Sequence, residues 1–250
     1  MQKLALSYPC ARPPWSKLGK KIESQCRKAL FEFALLDGID KLAVALSGGK
    51  DSLSLLFLLK AILGHGFPNI ELIAIHVSGA NSCGAGIGTG LLSGICRQLD
   101  VPLIICEDSS KPHRACYSCS RTRRSLLFET AKQYGAYTIA FGHHRDDSIQ
   151  TLLMNLLHKG EFAAMLPNVK MHKFGIRVIR PLIFTPQTYI TEFAKMYGFM
   201  RTVCACPIGQ TSQRKHTEDL LCTLEKLFPH ARENLAHASL LYGSKKATIL

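Results

Sequence analysis

The sequence has no long hydrophobic run. No stretch approaches the 18 uncharged apolar residues that would indicate a transmembrane helix. Residues 1–14 contain one early lysine and a short apolar piece, but no apolar centre like that of a secretory signal peptide. We expect this segment to be a mobile arm, and we expect a cytoplasmic protein in a reducing compartment.

Acidic residues are also scarce. There are 18 Asp and Glu against 31 Lys and Arg, so the formal net charge at neutral pH is +13. Such an excess suits RNA or DNA as a partner, because cations that contact phosphates release condensed counterions. Membrane-surface binding is the alternative, but no segment has the basic amphipathic pattern with a Trp or Phe face that would favour it.

Ten cysteines are too few for a disulfide-dense small protein, and four of them form two clusters, Cys116-x-x-Cys119 and Cys204-x-Cys206. This grouping favours metal chemistry over disulfide cross-linking. We expect the others to be small buried hydrophobes or incidental thiols: Cys10, Cys26, Cys83, Cys96, Cys106 and Cys222.

The strongest motif is SGGKDS at residues 47–52. It lies between an apolar run that predicts a strand and a longer Leu-rich run that predicts a helix. Its glycines let backbone N–H groups approach an anion closely, at a helix N-terminus whose dipole favours negative charge. The spacing is not that of the Walker P-loop. The alternative interpretation is an ordinary Gly-Gly turn capped by Asp or Ser.

Apolar strand patterns alternate with helical ones along most of the chain. We predict buried strands at residues 41–46, 71–77, 101–106 and 137–141, which implies right-handed βαβ units in a doubly wound parallel α/β sheet. A small helical part follows at the C-terminus. We predict a glycine-rich loop from residue 78 that passes into a helix near residue 94, an irregular segment at residues 162–173 and an extended one at 176–183.

In a parallel sheet, ligands bind beyond the carboxyl ends of the strands. The loops after Leu46, Val77, Cys106 and Phe141 should therefore meet at one edge. The third loop leads to the Cys-x-x-Cys pair, and the fourth is GHHRDD at residues 142–147. Taken alone, the first motif is equally a redox pair or chance, and the alternative interpretation of the second is an Asp-capped helix start.

Two ligand sets are open for the thiols. A zinc site would use all four clustered cysteines, although the one-residue gap between Cys204 and Cys206 makes simultaneous binding awkward. Three cysteines would instead leave one iron of a 4Fe-4S cluster without a protein ligand, where sulfide or substrate can bind.

Together and in this order, SGGKDS, CYSCSRTRR, GHHRDDSIQTLLMN, IRPL and a cysteine pair ahead of Gln213-Arg214 resemble the TtcA-type tRNA 2-thiocytidine synthetases of the PP-loop ATP pyrophosphatase superfamily. The resemblance implies ATP-dependent sulfur transfer to cytidine in the tRNA anticodon loop, through an adenylated base. It implies ATP, Mg²⁺ and a 4Fe-4S cluster as cofactors. The implied partners are tRNA, a sulfur donor (a cysteine desulfurase or sulfide) and a second copy of the chain in a homodimer.

The resemblance also assigns segments and residues. It divides the chain into an arm and basic helix (1–36), an ATP-binding α/β domain with the Cys-x-x-Cys insertion (37–160) and a C-terminal extension (161–250). The implied catalytic residues are Asp147, Arg123 and Asp51. The implied cluster ligands are Cys116, Cys119 and Cys206, with Cys204 as the alternative to Cys206. The implied cofactor-binding residues are Ser47, Gly48, Gly49, Lys50, Asp51, Ser52, Gly142 and His143.

The sequence departs from the family at the end of the second strand, where Ser78 replaces a carboxylate and glycines follow. Two other functions stay open: a non-thiolating PP-loop ligase that modifies tRNA, and a zinc-stabilised, non-catalytic RNA-binding protein. Candidate contacts to the tRNA backbone, with those nearest the Cys-x-x-Cys motif ranked first, are Arg121, Arg124, Lys17, Lys20, Lys21, Lys170 and Lys173.

Overall fold

The computed structural model describes residues 8–79, 88–109, 116–200 and 213–243. Six strands form one sheet: β1 (Lys41–Ala45), β2 (Glu71–Gly79), β3 (Leu103–Asp108), β4 (Thr138–Ala140), β5 (Asn168–Met171) and β6 (Ile176–Ile179). Their order across the sheet is β3-β2-β1-β4-β6-β5. All neighbours are parallel except the edge pair β5 and β6. The predicted doubly wound α/β fold is confirmed, and the strand order reverses between β1 and β4, where such folds bind ligands.

Helices cover both faces of the sheet. They are α1 (Lys17–Glu32), α2 (Lys50–Ile62), α3 (Thr89–Gln98), α4 (Cys116–Gln133), α5 (Arg145–Lys159), α6 (Gln187–Met196), α7 (Gln213–Leu227) and α8 (Ala231–Tyr242), with a 3₁₀ turn at His172–Phe174. Leu42 and Val44 of β1 point into a core shared with α1, α2, α3 and α6. Ala43 and Ala45 point into a second core against α4. Because both faces of the central strands β1, β2 and β4 are buried, these strands are largely apolar rather than alternating. The edge strand β3, predicted to be buried, is partly exposed because it has a neighbour on one side only.

The C-terminal helices pack on α5 instead of on the sheet. Leu221 of α7 is fully buried against Ile149 and Leu153 of α5. The small helical C-terminal part is thus present, and it is attached to the element that follows the GHHRDD loop. The division of the chain at residues 36 and 160 stays a prediction, and β5 and β6 lie in the same sheet as the earlier strands.

Three local predictions are wrong. Helix α3 begins at Thr89, inside the predicted glycine-rich loop, and Gly94 lies within it, where the Tyr8 ring leaves no room for a Cβ. Residues 168–171, predicted irregular, form β5 through pairing with β6. The extended segment 176–183 is a strand only to Ile179, after which the chain turns through Pro181.

Part of the predicted mobile arm is packed. Ala11 is buried, and the Arg12 guanidinium donates a hydrogen bond to the carbonyl oxygen of Gln98 at the end of α3. In the described parts of the chain, no helix is both long and apolar enough to cross a membrane.

Candidate active site

Residues 47–52, the glycine loop, join β1 to α2 at the carboxyl edge of the sheet. Gly48 has a φ of 81°, a conformation that other residues adopt with strain. The Ser52 hydroxyl donates to the carbonyl oxygen of Gly49 (3.0 Å) and lies 3.1 Å from the Ser47 hydroxyl. The N-cap of α2 is Gly49, so no side chain caps the first N–H groups of this helix. The loop therefore presents backbone donors to an anion.

The glycine loop touches the GHHRDD loop through backbone atoms. A Cβ on Gly142 would lie 2.8 Å from the carbonyl carbon of Asp51 and 2.9 Å from the backbone nitrogen of Ser52. Any larger residue at position 142 must push the two loops apart, since backbone cannot rotate away as a side chain can.

We expect Gly142→Ala to lower ATP-dependent pyrophosphate release at least tenfold, because displacement of about 1 Å in a positioned site is costly. Gly90→Ala, near the start of α3, is the control: nothing lies within 4 Å of its added Cβ and its φ is not positive. Equal rates for the two variants, measured by phosphate release with added pyrophosphatase, would show that the close approach is not needed.

His144, which the sequence analysis did not single out, lies within 4 Å of three carboxylates, those of Asp51, Asp146 and Asp147. It is the N-cap of α5. Its ring Nδ1 accepts a hydrogen bond from the Asp147 backbone N–H (3.4 Å), and the His144 backbone N–H donates to Asp147 Oδ2 (3.0 Å). Its Nε2 lies 3.8 Å from Asp51 Oδ1 and 3.4 Å from Asp147 Oδ2. The GHHRDD loop thus begins a helix, as the alternative interpretation expected, but the N-cap is His144 rather than an Asp. Asp51 and Asp147 both lie near Nε2 of this buried imidazole.

Asp147 is held as a carboxylate. Burial raises its pKa, but the neighbouring His144, the hydrogen bond from the His144 backbone and Arg214 outweigh burial, so that the pKa lies below its usual value. Arg214 at the start of α7 approaches Asp147 Oδ1 to 3.7 Å. In this arrangement Asp147 is suited to accept a proton rather than to donate one.

His143 is neutral. Burial and the adjacent Arg180 guanidinium lower its pKa to about 3. Arg180 Nε donates to His143 Nδ1 (3.3 Å), so the ring proton resides on Nε2, and the ring stacks on Phe141 at 5.4 Å. Arg180 follows β6 in the IRPL motif, and burial lowers its own pKa to about 10.

These loops line a cavity of about 280 Å³ at the edge of the sheet, where the strand order reverses between β1 and β4. Its walls include seven of the predicted site residues: Ser47, Asp51, Ser52, Arg123, Gly142, His143 and Asp147. Leu46, Val77 and Phe141 also line it, as expected for loops at one edge, whereas Cys106 does not. Gly48, Gly49 and Lys50 belong to the same loop, and Lys50 Nζ lies 2.7 Å from Asp51 Oδ1.

The Cys-x-x-Cys motif forms the first turn of α4. Cys119 is half-buried and directly precedes Ser120, which lines the cavity. Cys116 is the first residue of α4, one turn earlier. Cys204 and Cys206 lie outside the described residues, so the choice between them as a ligand stays a prediction. Burial raises the thiol pKa of Cys26 to about 12 and of Cys96 to about 11, which agrees with unreactive core cysteines.

The PP-loop domain family matches residues 18–200. The chain is 35% identical over 229 residues to a tRNA-cytidine(32) 2-sulfurtransferase of Citrifermentans bemidjiense, covering 87% of this chain and 89% of that one. The chain belongs to the PP-loop family, among the tRNA-cytidine 2-sulfurtransferases. A relative with the same description from Nitrosospira multiformis is 31% identical over 88% of this chain and 76% of its own length.

A solved structure of the same PP-loop type is similar over most of its length. It is the U34-tRNA thiolase NcsA from Methanococcus maripaludis with its 4Fe-4S cluster, which aligns with a TM-score of 0.73 and 26% identity. The alignment covers 88% of this chain and 78% of that one.

In the GHHRDD loop of this PP-loop protein, Asp146 has a structural role that the sequence analysis did not identify. Asp146 is buried and accepts from Arg232 (3.0 Å) and from the backbone N–H of Gln187 (2.7 Å). Arg232 also binds Glu218 (2.6 Å) and Glu225 (2.7 Å) of α7. Adjacent carboxylates thus have separate tasks: Asp147 faces the cavity and Asp146 anchors the C-terminal helices.

Proposed function

We propose that this protein transfers sulfur to cytidine in the tRNA anticodon loop, with ATP as the activating substrate. The observation that carries the proposal is the convergence of three elements on one cavity. These are the glycine loop, the GHHRDD loop and the turn of α4 that follows the Cys-x-x-Cys motif. A phosphate-binding loop beside thiols suits an enzyme that activates an oxygen and replaces it with sulfur.

The glycine loop fits the phosphates of ATP. The uncapped N–H groups of α2, the positive φ of Gly48 and the Ser47 and Ser52 hydroxyls form an anion cradle. Asp51 would hold Mg²⁺, a cation that prefers carboxylate oxygens. The chemistry that ATP supplies is adenylation of the pyrimidine C2 oxygen, which turns a poor leaving group into a good one.

The thiols fit a 4Fe-4S cluster with three protein ligands. Cys116 and Cys119 are one helical turn apart, so both can face one cluster. Cys206 is eight residues before Arg214, which lines the cavity, and an extended chain of that length spans at most about 29 Å. The chemistry that the cluster would supply is retention of sulfide on the iron that lacks a protein ligand.

The remaining cavity residues handle charge and protons. Arg123 and Arg124 would stabilise negative charge on the leaving phosphate, since preorganised cations act strongly in a site of low dielectric. The Asp147 carboxylate would accept a proton, and the neutral His143 would donate a hydrogen bond from Nε2. The base must be unstacked to reach the cavity, which suits a loop nucleotide.

The test is metal analysis combined with a thiolation assay. Protein purified without oxygen is expected to hold about four iron and four sulfide per chain. With ATP, Mg²⁺, sulfide and unmodified tRNA it should form 2-thiocytidine, detected by mass spectrometry of digested tRNA. Reproducible zinc without iron, and no thiolated product, would instead support a zinc-stabilised RNA binder or a non-thiolating ligase.

The two candidate third ligands give opposite predictions. We expect Cys206→Ser to lose most of the visible absorption of the cluster and thiolation, whereas Cys204→Ser retains both. Cys222→Ser, which alters an exposed thiol on α7, is the matched control. If Cys204→Ser instead lost the cluster absorption and thiolation while Cys206→Ser retained both, Cys204 would be the third ligand.

The proposed partners are tRNA, a cysteine desulfurase or free sulfide as sulfur donor, and a second copy of the chain. The proposed location is the cytoplasm, as the sequence analysis expects. Sedimentation of the cluster-loaded protein tests the homodimer directly.

A further inference from the structure

A second cavity lies beside α4, next to the active-site cavity. It measures about 330 Å³ and is lined by Ser120, Arg121, Arg124, Ser125, Met171, Lys173 and Phe174. Ser120 and Arg124 also line the active-site cavity. One turn of α4 is therefore the shared wall of the two cavities. We call the second one the basic cleft.

The basic cleft is cationic. Arg121, Arg124 and Lys173 line it and are exposed, and Lys170 is exposed on the neighbouring β5. No acidic side chain is among its lining residues, although Glu129 accepts a hydrogen bond from Ser125 (3.0 Å). Within the described chain, neither Arg121 nor Lys173 makes a salt bridge, whereas other cations such as Lys28 and Lys41 are paired with glutamates.

Because Arg124 lines both cavities, the positive potential of the cleft extends to the active site. Arg124 lies close enough to Arg180 for repulsion to contribute to the lowered pKa of Arg180. Arg180 in turn contacts His143 of the active-site cavity. Arg124, Arg180 and His143 thus connect the cleft to the active-site cavity, where Asp147 offsets part of the charge of Arg180.

The floor of the cleft is apolar. Phe174 is half-buried and packs edge-on against Phe128 at 5.2 Å, and Met171 lies beside it in the cleft. Cations around an aromatic floor match the parts of a single nucleic-acid strand, since phosphates bind the cations while a base or ribose packs on the ring.

We propose that the basic cleft holds the RNA strand next to the nucleotide that enters the active site. A base unstacked into the active-site cavity leaves its neighbours outside, and the basic cleft adjoins that cavity at Ser120 and Arg124. This inference rests on the proposed function for its substrate. An acidic protein would satisfy the cations, but it would not use the aromatic floor.

The experiment measures tRNA affinity by fluorescence anisotropy at several salt concentrations. Arg121→Gln and Lys173→Gln are each expected to weaken binding about tenfold and to lower the salt slope by about one. Lys60→Gln removes the same charge in the last turn of α2, at the opposite end of that helix from the glycine loop, and should change neither quantity. Iron content and thermal melting of each variant confirm that fold and cluster persist.

Other outcomes separate the two proposals. The proposal that the cleft holds RNA would be overturned if the Arg121→Gln/Lys173→Gln double variant kept its fold and iron and showed unchanged tRNA affinity and salt slope. Loss of transfer from a protein sulfur donor without loss of tRNA affinity would also overturn it, in favour of an acidic protein partner. If the wild-type protein bound tRNA with a slope that the variants reduced, yet formed no 2-thiocytidine, the cleft would stand and the proposed function would fail.

Discussion

Replacing Asp51 by Asn is expected to lower ATP-dependent pyrophosphate release roughly a hundredfold. The Asp51 carboxylate lies 2.7 Å from Lys50 Nζ and 3.8 Å from His144 Nε2, in the first turn of α2 directly after the glycine loop. The amide keeps the shape but not the charge, so it cannot balance Lys50 or bind a divalent cation well. The measurement is pyrophosphate release in the presence of tRNA, with iron content determined on the same sample.

Iron content separates loss of chemistry from loss of structure in this variant. The thiols are on α4 and beyond, so Asp51→Asn should keep its cluster. Asp219→Asn, an exposed carboxylate on α7, is the matched control and should release pyrophosphate normally. Normal release in Asp51→Asn would overturn the ATP-binding assignment of this residue.

The second large effect is on stability. Arg232→Met is expected to lower the free energy of unfolding by about 3 kcal/mol, because removal of one partner leaves a buried charge uncompensated. The side chain of Arg232 is 9% exposed and that of Asp146 is 5% exposed. Burial alone would lower the pKa of Arg232, but hydrogen bonds to Glu218 and Glu225 outweigh burial and raise the pKa above its usual value. The guanidinium therefore stays charged.

Urea unfolding followed by circular dichroism measures this loss. Glu233→Gln is the control, because the pair that Glu233 forms with Arg145 is at the surface and its removal should cost less than about 1 kcal/mol. Thiolation should fall in Arg232→Met as well, since the network attaches the helix that carries Arg214 to the cavity. Equal stability losses in the two variants would mean that Arg232 is not an anchor.

The candidate site shows which features are local enough to predict. The glycine loop could be predicted because a strand pattern, two glycines and a helix pattern follow one another directly. GHHRDD could be placed at a helix start, but the pattern did not show which of its two aspartates faces the site. Only packing assigns Asp146 to Arg232 and Asp147 to the cavity, since both carboxylates have the same chemistry in the sequence.

Arg180 and Arg214 were named only as parts of motifs. Each reaches the site through a contact distant in sequence, Arg180 with His143 and Arg214 with Asp147. Residue type gives no signal for such contacts, because most arginines are solvated at the surface.

By itself the sequence determined the fold class, the phosphate loop and the family, since these depend on residue order within short segments and on hydrophobic periodicity. Only the tertiary structure decided that residues 168–171 are a strand, because four alternating polar and apolar residues are too short a pattern to predict one, and the segment gains its hydrogen bonds from β6. It also decided that α3 starts among glycines, with Gly94 beneath the Tyr8 ring. Finally, it brought the cations of α4 and of the segment after β5 into one cleft beside the active site, because the sheet order places distant segments side by side.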